Sequence, residues 1–424
     1  MSELTTHPSR GVAPLPAPGS ACSDAGTDGV EIRTSLREIM ALAPHWRALE
    51  QSCPEPFGYF QTYDWCLAWI RTYALGPGAI AEPRIYCVWR DGRLVFLWPG
   101  MVSRLPFGLK MLSTLGTPHT QYSTALYDPS AYASAAGSAF QAALQRPGGA
   151  DIAVFDLVPQ GSLLSGLVGG GETGRPSGNE TACLNLGAFA SWEAYLQSLG
   201  ARQRKYRKRR RAQLECLGEV GLRMVWPQDP GYTQLLETCV AWKRRWLVET
   251  GRLSLGLSKP GFSDFLSRLH GDRTAREGAC LFVLEAGGRP VAIEMGFLSG
   301  GHFYAYLAAF DWQHRDLSPG KIATEMVLCW LMQAGYTTYD LLGNPAQYKS
   351  SWSNETVALG KSTEPLSLKG ALLARPWLTC GAPALKAIYR CVPEKIRRSA
   401  LTAMGSSSGG LAVIVENPAI LIMV

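Results

Sequence analysis

The chain lacks any apolar run of the roughly 18 residues that a membrane-spanning helix needs. Its apolar end after Gly410 is interrupted by Glu416, Asn417 and Pro418. Residues 1–30 have no apolar h-region and hold four prolines, so a disordered leader is expected there rather than a signal peptide. None of the eleven cysteines, scattered from Cys22 to Cys391, stands in a Cys-x-x-Cys pair. That pattern argues against a zinc site and against a disulfide framework, so no metal ligand set is expected and a reducing cytosol suits the chain.

Charge is also scarce, at 18% of residues, and unevenly placed. Residues 202–211 read RQRKYRKRRR, with Arg202, Arg204, Lys205, Arg207, Lys208, Arg209, Arg210 and Arg211. Removing these eight from the 41 basic residues leaves 33 against 34 acidic ones. The formal charge of +7 therefore belongs to one segment. Eight cations in ten residues repel one another unless an anion compensates. The phosphates of a ligand, an anionic membrane surface or another polyanion, and RNA all meet that need. Tyr206 alone is too little aromatic surface for base stacking to lead. A solvated helix face is the plainer reading.

A length of 424 residues exceeds what one core usually serves, and 46% apolar content describes a globular chain. Two domains are expected, over 31–185 and 186–365, with an appendage at 366–424. In the first, helices are expected over 35–49 and 63–73, then a hairpin of 84–89 and 94–101 across Asp91-Gly92. Strands at 110–115 and 152–157 flank an alanine-rich helix at 131–144. His119 lies in a polar loop and reads as a solvated turn residue. The Gly169-Gly170-Gly171 run has no helix pattern after it and reads as a linker.

In the second domain Ser191 is placed to cap a helix that the basic run extends or follows. Helices at 232–246 and 262–269 precede a hairpin of 280–285 and 290–297. The stretch 301–352 then changes period three times. His302 to Phe310 has the composition of a buried strand, and Ser318-Pro319-Gly320 opens a helix that Gly335 ends. Tyr336 to Leu342 reads as a second strand, parallel to the first, with the helix crossing one face. Ser318, Gly320 and Lys321 thus stand at a helix start, where N–H groups and the helix dipole favour a phosphate. A Ser cap with Pro in the first turn is the plainer account. Residues 366–424 hold a candidate helix at 382–389 and are expected to pack on the second domain or to touch a membrane surface.

Three quoted pieces carry a resemblance: Ser318-Pro319-Gly320, Tyr339-Asp340-Leu341-Leu342-Gly343, and Tyr348-Lys349-Ser350-Ser351-Trp352. With Phe60-Gln61-Thr62-Tyr63-Asp64-Trp65 upstream, they resemble the CelD-type (cellulose-biosynthesis-associated) acetyltransferases. Those belong to the GNAT superfamily and are related to the FemABX peptidyltransferases. The resemblance spans roughly residues 31–365. It implies a mixed α/β fold of two tandem GNAT-like domains and an acyl-CoA, such as acetyl-CoA, as cosubstrate, with no permanently bound cofactor. It places pantetheine along His302 to Phe310 and pyrophosphate at Arg315, Leu317, Ser318, Pro319 and Gly320, with Lys321 and Asn344 as further expected cofactor-binding residues. Here Leu317-Ser318-Pro319-Gly320 replaces the usual Gln/Arg-x-x-Gly-x-Gly/Ala loop, and FemABX relatives use aminoacyl-tRNA instead of acyl-CoA.

Acyl transfer from a thioester needs a base, a polarised carbonyl and an acid for the thiolate. Glu294 alternates with the apolar Val291, Ile293, Met295 and Phe297, so it leaves the core face of a central strand. Burial there would raise its pKa and suit a base, whereas an ion pair with a nearby Lys or Arg would be structural. Tyr348, four residues past Asn344, resembles the GNAT placement in which Tyr protonates the thiolate; packing against Trp352 is the alternative. Lys349 is a candidate for a phosphate or an oxyanion, and Asp340 for fixing loop geometry. No Cys-His or Ser-His-Asp arrangement is legible, so direct transfer is expected. The acceptor is expected to be a saccharide or amine precursor, handled in the cytoplasm or peripherally at the inner membrane. A tRNA-dependent transferase and a non-catalytic scaffold are the competing readings.

Overall fold

A computed structural model describes residues 29–381 apart from 77, 106–107, 133, 145–148, 169–178, 344–348 and 350–351. Beyond 381 it describes only 384, 387 and 391–393, so the leader, most of the glycine-rich linker and most of the candidate helix at 382–389 lie outside the described residues.

The first half runs β1 (Val30–Arg33), α1 (Leu36–Ala41), α2 (Ala43–Ser52), α3 (Tyr63–Tyr73), β2 (Ala81–Arg90), β3 (Arg93–Arg104) and β4 (Lys110–Thr114). After these come β5 (Leu126–Tyr127), α4 (Ser134–Leu144), β6 (Ile152–Pro159), α5 (Leu163–Val168) and β7 (Asn179–Asn185). The helix expected over 35–49 is two. Ser35 caps α1 through a reciprocal box with Glu38, and the chain turns at Leu42 before Pro44 opens α2.

The second half begins with α6 (Trp192–Ser198), α7 (Ala201–Glu215), β8 (Val220–Val225), α8 (Tyr232–Glu249), α9 (Leu255–Ser258) and α10 (Phe262–Ser267). It continues with β9 (Gly271–Asp272), β10 (Glu277–Ala286), β11 (Arg289–Ser299), β12 (His302–Phe310), α11 (Pro319–Gln333), β13 (Thr338–Asp340) and β14 (Glu355–Pro365). Ser191 caps α6 as expected, accepting from Ala194 N, and the basic run forms its own helix, α7, after Gly200. The hairpins β2–β3, β10–β11 and β11–β12 all turn through two residues of positive φ, Asp91-Gly92, Gly287-Gly288 and Gly300-Gly301. That is the turn whose twist matches the strands it joins.

One sheet carries both halves, in the order β1-β2-β3-β4-β6-β14-β7-β13-β12-β11-β10-β8, with β5 on β3 and β9 on β10. Each half holds a parallel pair joined across a helix: β4 with β6 through α4, and β12 with β13 through α11. The halves exchange their last strands. β7 leaves the first half and pairs with β13, while β14 returns from the second and pairs with β6. β7 and β14 pair with each other, which closes the seam.

The main apolar cluster crosses that seam. Tyr59 stacks on Phe297 with centroids 4.5 Å apart, and Trp65 meets Phe297 and Tyr306 edge to face. Tyr304 Oη donates to Pro56 O, and Tyr306 Oη donates to His119 O at 3.1 Å. Rings of this size each bury roughly 150–250 Å², so the two halves share a core.

The segment after β14 corrects one expectation. Ala374 and Leu378 pack on Leu109, Ile152 and Val154, which are first-half residues, rather than on the second half. Asp151 fixes it: Ser367 Oγ donates to Asp151 Oδ1 at 2.7 Å and Leu366 N to Asp151 O at 2.8 Å.

Candidate active site

β12 pairs with β11 along its whole length, from Ser299↔His302 to Ala292↔Phe310, with a bulge between Met295 and Gly296. On its other edge it pairs with β13 at only three positions, His302↔Thr338, Phe303↔Tyr339 and Tyr304↔Asp340. Among the described residues no strand pairs with Ala305 to Phe310 on that edge. β13 is shorter than the expected strand over 336–342, because the Asp340 carboxylate accepts from Leu342 N at 2.7 Å and Leu342 turns to φ 62. The two parallel strands therefore part, and an extended ligand has backbone groups of β12 to pair with.

The chain leaves β12 through a short 3₁₀ turn, Trp312–Leu317, and enters α11 at Ser318. Ser318 has φ 55 and its side chain makes no capping hydrogen bond, so the plain Ser-cap account does not describe it. This turn aims the first N–H groups of a 15-residue helix back toward the end of β12. Ser318, Gly320 and Lys321 stand at that turn, and a Cβ on Gly320 would lie 3.4 Å from the Phe310 ring at the end of β12. Leu317 packs into the small cluster with Ile322 and Ala323, and Pro319 is buried. Arg315 is exposed and donates to Trp312 O at 3.3 Å. The Lys321 ammonium has its pKa lowered by partial desolvation and by the charge of Arg210 on α7, so cations from two helices meet at this end. Asn344 and Tyr348 lie outside the described residues.

Glu294 lies on the β11 face turned toward α11, opposite Phe282 and Ala308 in register, and is 1% exposed. The partner is not the Lys or Arg weighed from sequence. Tyr339 Oη donates to Glu294 Oε1 at 2.5 Å. Burial raises the Glu294 pKa to about 7, against the lowering effect of that hydrogen bond. A carboxyl that titrates near neutrality can hold or accept a proton at working pH.

Asp340 and Lys349 organise the point where the strands part. Buried Asp340 accepts from Tyr122 Oη at 2.8 and 2.9 Å and from Thr181 Oγ1 at 3.0 Å, besides Leu342 N. It thus ties the first half, the exchanged strand and β13 together, the geometry-fixing role expected of it. Burial raises its pKa, against these donors. Lys349 Nζ donates to the carbonyls of Leu341, Leu342 and Gly343 at 2.8, 3.1 and 2.7 Å. All three ammonium protons are committed to the loop. Burial lowers the Lys349 pKa to about 8, with Asp340 opposing and Lys243 reinforcing the shift.

Two further residues were not singled out correctly from sequence. Lys243, inside an amphipathic helix pattern, donates to Ala308 O at 3.1 Å beside the unpaired stretch of β12. His119, expected to be solvated, is buried: Trp69 Nε1 donates to its Nδ1 at 3.0 Å and its Nε2 lies 3.1 Å from Gly256 O. Tyr73 and Phe262 stack beside the ring, and desolvation lowers its pKa to about 3. Its polar loop gave no sign of these aromatic neighbours, which come from α3 and α10.

Residues 201–350 match the sequence profile of the acetyltransferase (GNAT) domain family. This stretch is similar to a GNAT acetyltransferase domain, which supports acyltransferase activity. The matched stretch runs from the first residue of α7 past Lys349 and contains Glu294 and the whole start of α11. Among solved structures, FemX has the same fold, with a TM-score of 0.54 and 14% identity over 81% of this chain and 99% of that one. L-PGS from Bacillus licheniformis aligns with a TM-score of 0.44 and 14% identity, covering 77% of this chain and 96% of that one. A tandem GNAT protein from the clavulanic acid biosynthesis pathway aligns with a TM-score of 0.44 and 11% identity, covering 80% and 99%. No curated protein matches the chain by sequence. Among the described residues no helix is long and apolar enough to cross a membrane, and no group of His, Cys, Asp and Glu could hold a metal ion.

Proposed function

We propose that this enzyme moves an acyl group from acyl-CoA to an amine or hydroxyl of a saccharide or envelope precursor, as a CelD-type member of the GNAT superfamily with two tandem GNAT-like halves. The parting of β12 from β13 beside the start of α11 carries the reading. An extended pantetheine arm fits the edge of Ala305 to Phe310 that no described strand covers, and a pyrophosphate fits the turn at Ser318 to Gly320, with Arg315 and Lys321 as counter-charges.

In the transfer the acceptor nitrogen or oxygen attacks the thioester carbonyl, the new C–N or C–O bond forms, and the C–S bond breaks. Glu294, through the Tyr339 hydroxyl, takes the acceptor's proton, and Tyr348 gives one to the departing thiolate. Lys349 holds its charge at the strand parting by its three carbonyls and favours the developing oxyanion electrostatically. The setting proposed is the cytoplasm or the inner face of the membrane, in exopolysaccharide synthesis.

The direct test is calorimetric titration of acetyl-CoA into the purified protein. Saturable binding is expected, abolished by Ser318→Trp and weakened at least tenfold by Arg315→Glu with Lys321→Glu. A folded protein that binds no acetyl-CoA would end this reading. One observation favours a second donor, aminoacyl-tRNA: α7 presents Arg202, Lys205, Lys208 and Arg209 to solvent and packs on α11 through Arg207 and Glu325. Tight binding of charged tRNA without acetyl-CoA binding would select it.

A further inference from the structure

Lys259 is a buried cation without a counter-charge. It lies between α9 and α10, is 8% exposed, and its ammonium makes no hydrogen bond or ion pair with any described residue. No carboxylate acts on it at longer range either, and burial alone lowers its pKa. A cation taken out of water without a partner is costly, so an anion is the ligand it favours.

Its surroundings come from both halves of the molecule. A Cβ on Gly256 would lie 3.1 Å from the His119 ring, and one on Gly261 would lie 3.1 Å from Thr72 and 3.8 Å from the Tyr73 ring. Lys259 is thus held between two close approaches to the first half, and its charge acts on His119. The Tyr73 ring stacks on His119, and its hydroxyl is a second buried polar group without a partner, on a residue 6% exposed. Burial raises the Tyr73 pKa, the Arg244 guanidinium lowers it and Asp264 raises it, so both charges stand near. Arg244 donates from Nε and Nη2 to Leu257 O at 3.2 and 3.1 Å and makes no ion pair among the described residues. Asp264 is exposed in the first turn of α10 and is bonded to neither cation.

The same loop reaches the candidate active site. His119 O accepts from Tyr306 Oη at 3.1 Å, and Tyr306 stands in the stretch of β12 that no described strand covers on one edge. We infer that Lys259, Arg244 and the Tyr73 hydroxyl form a subsite for an anionic group, a phosphate or a carboxylate, carried by the acceptor. The assignment to the acceptor rests on the acyl-transfer reading, in which the donor's phosphates have their own cations at the start of α11. The anion site does not rest on it. Outside the described residues the chain holds the carboxylates of Glu3, Asp24, Asp28, Glu172, Glu394 and Glu416, and a partner among them would make Lys259 structural.

The test follows the indole N–H resonance of Trp69, which donates to His119 Nδ1 at 3.0 Å, in the full chain with isotope-labelled tryptophan. Sodium phosphate, sodium acetate and sodium chloride are titrated separately. A saturable shift with phosphate or acetate and none with chloride is expected, and the tighter of the two names the acceptor's group. Lys259→Met should weaken this binding at least tenfold and Tyr73→Phe about fivefold. Saturating acetyl-CoA should leave it in place. Without added anion, Lys259→Met should melt no lower than wild type, because it removes an unpaired buried charge. No saturable shift in the wild type, or an unchanged one in Lys259→Met, would overturn the proposal. So would displacement by acetyl-CoA, which would give these cations to the donor. A Lys259→Met that melts several degrees lower would do the same, by showing a partner within the chain. Anion binding without acetyl-CoA binding would end the acyl-transfer reading and keep the subsite, and the converse would end the subsite alone.

Discussion

Tyr339 and Glu294 meet at 2.5 Å inside the sheet, from strands β13 and β11, with both side chains closed off from solvent. The phenol donates to the carboxyl and lowers a pKa that burial alone would push higher. Tyr339→Phe should therefore move the Glu294 pKa upward from about 7. The loss of a buried donor should cost about 1–3 kcal/mol in urea unfolding. The proposed proton path runs through the Tyr339 hydroxyl, so the same variant should also lose most of its turnover, and an undiminished kcat would remove the Glu294–Tyr339 pair from the reaction.

The same carboxyl makes stability depend on pH in a defined direction. Its folded pKa of about 7 lies above the ordinary value of 4.5, so between those values the native state binds the proton and the unfolded state releases it. Its contribution is full below pH 4.5 and is lost as pH rises through about 7. Glu294→Gln should unfold with a shallower fall in stability across that window, and it should gain on the wild type as pH rises. Denaturant midpoints at pH 5 and pH 8 measure this, and parallel curves would refute it.

Lys349 holds three carbonyls of one loop, where Leu342 has positive φ. Lys349→Met should leave those buried carbonyls unpaired and cost about 3 kcal/mol, an amount in the range of broken buried networks. Hydrogen exchange of Leu341 to Gly343 should accelerate first. Lys349→Arg should not rescue, since a planar guanidinium cannot place three donors as an ammonium does.

Ser318 enters α11 at φ 55, where a residue with a Cβ is strained and a β-branched one more so. Ser318→Gly should raise stability by about 1 kcal/mol and keep acetyl-CoA binding. Ser318→Val should lower both. Thermal melts and calorimetry on the pair distinguish backbone conformation from side-chain contact.

Local pattern made much of the fold legible. The alternation in 277–299, the Asp91-Gly92 turn and the strand, helix and strand of 302–340 all depend on neighbours within a few residues. The exchange of β7 and β14 does not, because β14 finds β6 about 200 residues earlier in the chain and no local period encodes that partner. The candidate site divides in the same way. The helix start at Ser318 to Lys321 was readable from spacing, whereas alternation only took Glu294 off the core face, and its full burial comes from what packs over that side of the sheet. Tyr339 as the partner of Glu294, the three carbonyls under Lys349 and the ring stack around His119 depend on what tertiary packing brings alongside. A lysine in a turn and a histidine in a polar loop look solvated until the far partners are known.

The exchanged strands also set a timetable for synthesis. When β6 leaves the ribosome, its partner β14 is still about 200 residues from being made. At roughly 5–20 residues per second, the edge of β6 waits about 10–40 seconds for the strand that covers it. During that wait the first half is an unfinished sheet with a growing polypeptide tethered beside it, exposed to mispairing with any other nascent chain. The late return of Glu355 to Pro365 therefore makes the last strand of the second half the step that completes the first.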